Sequence, residues 1–340
     1  MSWFVNAKER YKLRLRRRRL LLRALRKRSE LQSLKSATGR TAQREILCFL
    51  TIRNEMERIE FFLEHHRRLG VTHFLVVDND STDETRSFLL KQDDVSLWAA
   101  KGSYKKSRFG LDWLTWLMIK YGHNQWCLTL DADEILIYPN WTTRPLPALI
   151  DWLEKRNQLS FGAMMLDLYP KTKLSAATYT RAQDPSLSLE YFDSGNYIIQ
   201  KKPGLNSLWM QGGVRSRVFF KDAPEKSPTL NKIPLVKWNR RFAYLNSTHS
   251  MLPPLYNQHY AEDGGEMISG VLLHSKFLSN IIAKSAEEQI RKEHFNNSSL
   301  YDEYYSAILT DPILWDKTSV KFHNWRQLER MGLMSRGGWC

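Results

Sequence analysis

Residues 46–83 read ILCFLTIRNEMERIEFFLEHHRRLGVTHFLVVDNDSTD, and their pattern predicts the fold of the chain most clearly. The apolar runs at 46–52 and 72–77 have the length of buried strands. Between them, residues 55–69 place apolar side chains at the three- and four-residue spacing of a helix, which Gly70 ends. A strand, a helix and a second strand in this order favour two parallel strands joined by a crossover helix.

The same alternation continues towards the C-terminus. Strands are predicted at 95–100 and 125–130, with a helix at 107–121 between them. Later apolar runs are less regular and predict strands at 161–169, 217–220, 241–245 and 269–273. We therefore predict an α/β fold in which helices flank a Rossmann-like, mostly parallel sheet. A basic N-terminal helix and a helical C-terminal tail complete the prediction.

The positive charge of the chain is concentrated at its N-terminal end. The net charge is +15, and residues 1–44 contribute +13 of it, which leaves +2 for the other 296 residues. Residues 9–28 are rich in Leu and Arg and lack Gly and Pro, so they predict a helix. Its apolar side chains fall roughly on one face, which Arg18 interrupts: Phe4, Tyr11, Leu15, Leu22 and Leu25.

A basic amphipathic helix of this kind can lie on an anionic lipid surface, where each cation contributes about 1 kcal/mol. A nucleic-acid-binding arm and a solvated charged helix are the alternatives, and we favour the lipid surface over both. The sequence contains no run of about 18 uncharged apolar residues and no pattern of a secretory signal. We therefore expect a cytoplasmic protein that is peripheral on the inner face of the membrane.

The three cysteines are odd in number and widely spaced, at Cys48, Cys127 and Cys340. Cys48 and Cys127 lie inside apolar runs that predict strands. This pattern is typical of buried thiols in a reducing compartment.

Polar clusters follow three of the predicted strands: RNE at 53–55, DNDSTD at 78–83 and DADE at 131–134. Ligands of such sheets bind at the carboxyl ends of parallel strands, so the three clusters should converge on one crevice. The carboxylates at 131–134 repel one another, and a hard cation such as Mg²⁺ or Mn²⁺ relieves that repulsion. The cation would neutralise a departing diphosphate as a Lewis acid. A solvated turn or a calcium loop is the alternative for this short motif.

Residues 46–139 resemble the nucleotide-diphospho-sugar transferases of the GT-A fold, specifically glycosyltransferase family 2. Three ordered motifs carry the resemblance: TIRNE at 51–55, VVDNDSTDET at 76–85 and DAD at 131–133. The C-terminal half of the chain resembles the family only loosely. The resemblance implies a nucleotide-sugar donor similar to a UDP-sugar, and a divalent cation, Mn²⁺ or Mg²⁺.

The resemblance also implies roles for four residues around the nucleoside. Thr51 and Glu55 would line the nucleoside pocket. Asp78 would accept a hydrogen bond from the base, and Asp80 is the alternative for this role. For Ser81 and the residues up to 83, a polar turn that caps the next helix is the simpler interpretation.

A second group would serve the diphosphate and the metal. Arg108 would contact the diphosphate, and Asp131 would address the ribose or the metal, directly or through water. Asp133 would be the direct metal ligand. His274 ends an apolar run and is a candidate for a further metal ligand, and Lys276 could meet the diphosphate; a hydrogen-bonded structural histidine is the alternative for His274.

The catalytic base is harder to assign. Enzymes of this family invert the anomeric centre, so a carboxylate should deprotonate the acceptor hydroxyl. The family often places that carboxylate in an acidic pair shortly after two glycines, but here Gly212 and Gly213 are followed by VRSR. Asp222, Glu262 and Asp263 are the candidates.

Three other polar side chains have weaker assignments. Arg215 and Arg217 could bind an anionic acceptor or the diphosphate, and His249 could be a ligand.

We predict a basic arm at 1–44, a GT-A domain at 45–290 and a helical extension at 291–340. The predicted function is metal-dependent, inverting transfer of a sugar from a nucleotide-diphosphate sugar to a cell-surface glycan or a lipid-linked acceptor. A nucleotidyltransferase is one alternative, although such enzymes usually have a glycine-rich loop where this chain has TIRNE. The other is a non-catalytic scaffold or nucleic-acid-binding protein, which would tolerate loss of Asp131 and Asp133.

Overall fold

The computed structural model describes residues 2–37, 45–259, 266–291 and 298–339. Its helices are α1 Ser2–Lys27, α2 Met56–Leu69, α3 Thr85–Leu90, α4 Leu111–Tyr121, α5 Leu146–Lys155, α6 Gly213–Phe219, α7 Ile281–Arg291, α8 Ser298–Leu309 and α9 Trp325–Arg330. Its strands are β1 Leu31–Lys35, β2 Ile46–Ile52, β3 His73–Asp78, β4 Val95–Ala100, β5 Trp126–Thr129, β6 Glu134–Ile137, β7 Ser160–Asp167, β8 Tyr191–Phe192, β9 Ile198–Lys202, β10 Ser207–Gln211, β11 Asn231–Lys237, β12 Ala243–Tyr244, β13 Met251–Leu252, β14 Ser269–His274 and β15 Val320–Lys321.

One large sheet organises the molecule, with the strand order β1-β4-β3-β2-β5-β11-β7-β14-β6. Strands β2, β3, β4, β5, β7 and β14 run in one direction, and β1, β11 and β6 run in the other. The predicted mixed α/β class, with a mostly parallel sheet flanked by helices, is therefore confirmed. This arrangement is consistent with a Rossmann-like GT-A fold.

Both faces of the sheet are covered, which explains why its central strands are apolar throughout. Alternate residues of β2 point to opposite faces. Cys48 and Leu50 belong to the core that includes Phe62 of α2. Leu47 and Phe49 belong to a second core with Trp113 and other residues of α4.

The N-terminal segment is part of this layered structure. Helix α1 confirms the predicted basic helix, and Leu20 and Ala24 of α1 are buried. Arg23 forms a salt bridge of 2.9 Å with the buried Asp112 of α4. Strand β1 pairs antiparallel with β4 at the edge of the sheet. Residues 1–44 therefore contribute a strand as well as a helix, and the domain boundary at 44–45 stays a prediction.

The C-terminal residues also pack into the core. Trp325 and Leu328 of α9, together with Trp339, belong to the main core around the sheet. Helix α8 contributes Tyr304 and Ile308 to a smaller apolar cluster. The segment after residue 291 thus combines two helices with core side chains and the short strand β15, and the boundary at 290–291 stays a prediction.

The strand predicted at 217–220 is wrong, because residues 213–219 form helix α6. Gly212 and Gly213 have positive φ angles of 140° and 67° and turn the chain into this helix. Val214 and Val218 are four residues apart and both pack in the apolar cluster with Tyr304. The spacing of these two valines fits a helix as well as a strand, and packing decides between them.

No helix in the described part of the chain combines the length and the apolar character needed to span a membrane. Cys48 and Cys127 are buried and free. Cys340 lies outside the described residues.

Candidate functional site

The segment between β5 and β6 places carboxylates across one end of the sheet. The chain leaves β5 in the middle of the sheet and re-enters it as β6 at the edge, so residues 130–133 run past the ends of β11 and β14. Asp131 pairs with Lys232 near the start of β11, at a distance of 3.3 Å. Asp133 contacts His274 at the end of β14. The DAD motif thus lies at the carboxyl edge of the sheet, where sequence predicts a ligand site.

A chain of hydrogen bonds links Asp133 to the interior through His274. The parallel strands β7 and β14 place Asp167 and His274 opposite each other. His274 Nδ1 lies 2.6 Å from Asp167 Oδ1, and His274 Nε2 lies 3.1 Å from Asp133 Oδ2. Arg215 Nε donates to the second oxygen of Asp167 at 2.8 Å. The imidazole is therefore held by a carboxylate at each nitrogen. Of these two carboxylates, Asp167 is buried and Asp133 is partly exposed.

The charged groups in this series of hydrogen bonds shift one another's pKa values towards the ionised forms. Burial alone would raise the pKa of Asp133, but His274, Arg58 and Lys276 hold it well below its usual value. Burial likewise opposes ionisation of Asp167, yet Arg215 and His274 lower its pKa to about 2. Burial lowers the pKa of His274, but the two carboxylates outweigh burial and raise it. The neighbouring cations and His274 therefore compensate together the negative charge of Asp133 and Asp167.

Asp133 and His274 fit a divalent cation that also uses ligands from a substrate. In the described residues, no group of three or more His, Cys, Asp or Glu side chains is arranged to hold a metal ion. However, Mg²⁺ typically takes one or two carboxylates and completes its shell with phosphate oxygens and water. Two adjacent ligands at about 2.1 Å from such an ion lie about 3 Å apart, which matches the separation of Asp133 Oδ2 and His274 Nε2, 3.1 Å. The carboxylate of Asp167 on Nδ1 is the partner that metal-binding histidines usually have.

Lys276 brings a further cation to this edge. Burial lowers the pKa of Lys276, and the charge of Asp133 opposes that effect. Its Nζ atom lies 6.0 Å from the ring centre of Tyr304, and among the described residues Lys276 forms no salt bridge. Its charge is therefore available to an anion.

Asp131 and Glu134 share a lysine. Lys232 is buried and lies 2.8 Å from Glu134 Oε1 and 3.3 Å from Asp131 Oδ2. Glu134 Oε2 also accepts a hydrogen bond from the backbone N–H of Asp131. Glu134 is therefore structural and holds the motif, whereas the half-exposed Asp131 can reach solvent or a ligand.

The TIRNE segment is connected to the DAD motif. Arg58 donates to Glu55 at 3.1 Å, and the charges of Glu55 and Asp133 together raise its pKa against the effect of burial. Burial, followed by the charges of Asp131 and Asp133, raises the pKa of Tyr104 well above its usual value. The first and third polar clusters are therefore linked electrostatically through Arg58, and their convergence on one crevice stays a prediction.

The DNDSTD segment joins them through Arg53. The Arg53 guanidinium donates to the carbonyl oxygens of Asn79 and Asp80, at 3.1 and 2.5 Å. Asp78 is fully buried, accepts from the backbone N–H of Ser81 at 3.0 Å and pairs with Arg86 at 2.5 Å. The exposed Asp80 lies 3.7 Å from Arg53. Of the two candidates for the nucleobase, Asp78 is thus occupied by internal partners and Asp80 is accessible.

Thr51 and Glu55 have different surroundings. The Thr51 hydroxyl is buried and has no hydrogen-bond partner. Glu55 pairs with Lys284 of α7 at 2.5 Å in addition to Arg58. Helix α7 therefore lies over the N-terminal end of α2, beside the expected nucleoside pocket.

Arg108 is engaged away from the carboxylates. Its guanidinium donates to the carbonyl oxygens of Tyr244 and Leu245, at 2.7 and 2.9 Å, and to Asp112 at 3.2 Å. These contacts use Arg108 to hold the loop after β12 against α4. Its role at a diphosphate stays a prediction.

The candidate bases are not brought into the crevice by any contact of the described residues. Asp222 is exposed in the turn after α6, and Glu262 and Asp263 lie outside the described residues. Arg217 is paired with Asp193 at 2.8 Å. His249 Nδ1 donates to the Asn231 carbonyl oxygen, 2.6 Å away, and burial lowers the pKa of His249 to about 3, so it is a part-buried neutral side chain.

Three residues of the site were not singled out from the sequence: Asp167, Lys232 and Arg58. Asp167 lies inside the run predicted at 161–169, directly after its apolar residues 161–166, and a polar residue after an apolar stretch is the available signal. Lys232 carries no such signal, because its importance depends on the antiparallel β11 entering the sheet between β5 and β7.

Fold, carboxylate motif and flanking cations together define an α/β protein with a candidate site for a metal ion and an anion at the carboxyl edge of its sheet. No protein family model matches the sequence, and no curated protein matches it. Among solved structures, glucosyl-3-phosphoglycerate synthase from Mycobacterium tuberculosis, in complex with Mn²⁺, UDP and glucosyl-3-phosphoglycerate, is similar at 17% identity, 38% of this chain, 47% of that chain and a TM-score of 0.24. The structure of 4-diphosphocytidyl-2C-methyl-D-erythritol synthase is similar at 15% identity, 42% of this chain, 69% of that chain and a TM-score of 0.26. The chain thus spans about half of the mycobacterial enzyme, and likeness of this extent does not identify an activity.

Proposed function

We propose that this protein is a metal-dependent glycosyltransferase that uses a nucleotide-diphosphate sugar, with a UDP-sugar as the donor. The observation that carries the proposal is the pairing of Asp133 with a His274 already oriented by Asp167, beside Lys276. The three motifs at 51–55, 76–85 and 131–133 support the same donor class.

Within this proposal, Asp133 and His274 hold the divalent cation, Mn²⁺ or Mg²⁺. When bound, the cation acts as a Lewis acid that neutralises the departing nucleoside diphosphate. Asp167 keeps His274 Nδ1 protonated, which leaves Nε2 as the ligand atom. Asp131 reaches the ribose or the metal shell, and Lys276 provides a second positive charge for the diphosphate.

The nucleoside lies over the first two polar clusters. The accessible carboxylate of Asp80 is free to bind it, and Thr51, whose hydroxyl is buried and unpartnered, lies in the wall of the pocket. Glu55 contributes once Lys284 yields part of its contact. Arg108 fixes the wall of the pocket through the carbonyl groups that it binds.

Transfer with inversion requires a carboxylate that takes the proton of the acceptor hydroxyl as the donor bond breaks. Asp222, Glu262 and Asp263 remain the candidates for this base. A cell-surface glycan or a lipid-linked molecule is the proposed acceptor, because α1 gives the protein a surface suited to membranes.

That surface is the outward face of α1, opposite the buried Leu20 and Ala24. Tyr11, Leu22 and Leu25 are 61%, 53% and 42% exposed there, with basic side chains on both sides. We propose that this face lies on an anionic leaflet, with its apolar side chains in the interfacial region.

Hydrolysis of a panel of nucleotide sugars tests the enzymatic proposal. The expected result is slow release of nucleoside diphosphate that requires Mn²⁺ or Mg²⁺, stops with chelator and falls at least about 100-fold in Asp133→Ala. Asp93→Ala, in an exposed turn before β4, serves as the matched carboxylate control and should keep this hydrolysis. Release of pyrophosphate from a nucleoside triphosphate instead would favour the nucleotidyltransferase.

A further inference from the structure

A cleft of 550 Å³ separates α1 from two proline-containing loops, at 203–206 and 252–255. We propose that this cleft binds one molecule of an amphiphilic phosphate, with its phosphate on the arginines of α1 and its apolar chain on the loops. This site is additional to the nucleotide-sugar crevice and to the outward face of α1, since neither Tyr11 nor Leu22 lines it.

The α1 side of the cleft is an arginine cluster without a counterion. Arg10, Arg14 and Arg17 line it from successive turns of the helix. The acidic residue of the lining, Glu9, is occupied by Lys12 at 2.7 Å. Within the described part of the chain, the three arginines form no salt bridge with a carboxylate.

Repulsion within this cluster favours an anionic ligand. Burial, followed by the charges of Arg14, Arg18 and Arg241, lowers the pKa of Arg17. Several positive charges in and around the cleft therefore repel Arg17, and one bound anion would reduce this repulsion. Arginine suits this ligand because its planar guanidinium binds two oxygens of a phosphate at once.

The opposite wall indicates that the ligand is more than an inorganic ion. Leu13 of α1 faces Leu252, Pro253, Pro254 and Leu255 across the cleft. Leu255 is 70% exposed, so apolar surface stays in contact with water when the cleft is empty. A phosphate ester with an acyl or isoprenoid chain would cover this wall and gain the free energy of apolar burial.

Binding of soluble short-chain lipids tests the proposal without any nucleotide sugar. Dihexanoyl phosphatidic acid, below its micelle concentration, is titrated by calorimetry into the full-length protein, beside dihexanoyl phosphatidylcholine and inorganic phosphate. We expect saturable one-to-one binding of the phosphatidic acid, and binding of the other two at least about ten-fold weaker.

Two pairs of substitutions locate the site. Arg14→Gln with Arg17→Gln should weaken phosphatidic acid binding at least about ten-fold, whereas the matched pair Arg19→Gln with Arg26→Gln on another side of α1 should leave it unchanged. Leu255→Ser should weaken the lipid but not inorganic phosphate. Equal losses in both arginine pairs, or inorganic phosphate binding as tightly as the lipid, would overturn the proposal, and thermal unfolding of each variant confirms that the fold is kept.

Discussion

At the scale of single residues, the candidate site is an ordered alternation of charges. Arg215, Asp167, His274 and Asp133 follow one another from the interior to the crevice, each within hydrogen-bond distance of the next. Asp167 lies between Arg215 and His274, which compensates its burial. Only Asp133 ends at the crevice, so a cation bound there would continue the alternation.

A second buried ion pair, Lys232 with Glu134, stabilises the DAD motif, because Glu134 also accepts a hydrogen bond from the backbone N–H of Asp131. Replacing Lys232 by Met leaves the fully buried Glu134 without its cation, and we expect the free energy of unfolding to fall by about 3–5 kcal/mol. Urea denaturation measures this change.

The double variant Lys232→Met with Glu134→Gln is the control. It removes both charges, so it should be more stable than Lys232→Met alone. If the single and the double variant were equally destabilised, the uncompensated charge of Glu134 would not be the cause.

The sequence identifies only some residues of this site. Asp131, Asp133 and His274 stand out because polar residues follow apolar runs there. Asp167 and Lys232 become important only through pairing of β7 with β14 and of β11 with β5 and β7. Pairings between strands more than 60 residues apart have no local signal, so these partners could not be predicted.

At the scale of elements, helix α2 is tied to the far edge of the sheet by a buried histidine. His65 Nε2 lies 2.8 Å from the carbonyl oxygen of Leu136 in β6 and donates to it. Burial lowers the pKa of His65 to about 4, although the Leu136 carbonyl and Asp184 oppose this shift. Helix α2 therefore packs against β6 with a neutral imidazole between them.

This arrangement makes stability depend on pH. The unfolded chain binds a proton at His65 near pH 6.5, and the folded protein binds it near pH 4, so stability is lost as the pH falls between these values. Between about pH 7.5 and about pH 5, His65 alone should cost about 2 kcal/mol. Urea denaturation at the two pH values should show a smaller loss in His65→Gln by that amount.

The exposed His323 offers a matched control. His323→Gln should keep the pH dependence of the unmodified protein. An unchanged pH dependence in His65→Gln would show that His65 is not the titrating group.

Elements with strong local patterns were predicted well, and those fixed by packing were not. Strands β2, β3, β4 and β5 and helix α2 lie close to their expected positions, because each is a bounded apolar run or a clear helical stripe. Strand β1, of sequence LQSLK, has no apolar run and exists because β4 offers it an edge. The strand predicted at 217–220 was wrong for a related reason, because packing in an apolar cluster favours a helix there.

At the scale of the whole molecule, α1 gives the protein one strongly basic side. One face of the helix packs on α4 and on the loops after β12, while its outward face leaves Tyr11 and Leu22 exposed. Residues 1–44 carry a net charge of +13, most of it on α1, and the other 296 residues are nearly neutral.

Vesicle sedimentation tests the proposed membrane surface. The protein should bind vesicles containing phosphatidylserine and not pure phosphatidylcholine, and binding should weaken as salt is raised because exposed charges are screened. Tyr11→Ser with Leu22→Ser should reduce binding several-fold without loss of thermal stability, since both side chains are exposed. Binding that the double variant leaves unchanged would contradict an apolar contribution of this face.

The central claim is that Asp133 and His274 form a metal site for a nucleoside diphosphate. Its most direct test is calorimetric titration of UDP into the protein with Mn²⁺ and with chelator, for the unmodified chain, Asp133→Asn and the control Asp222→Asn. We expect UDP binding that requires Mn²⁺, weakens at least about ten-fold in Asp133→Asn and is unchanged in Asp222→Asn. UDP binding that is the same with chelator, or the same in Asp133→Asn, would contradict it.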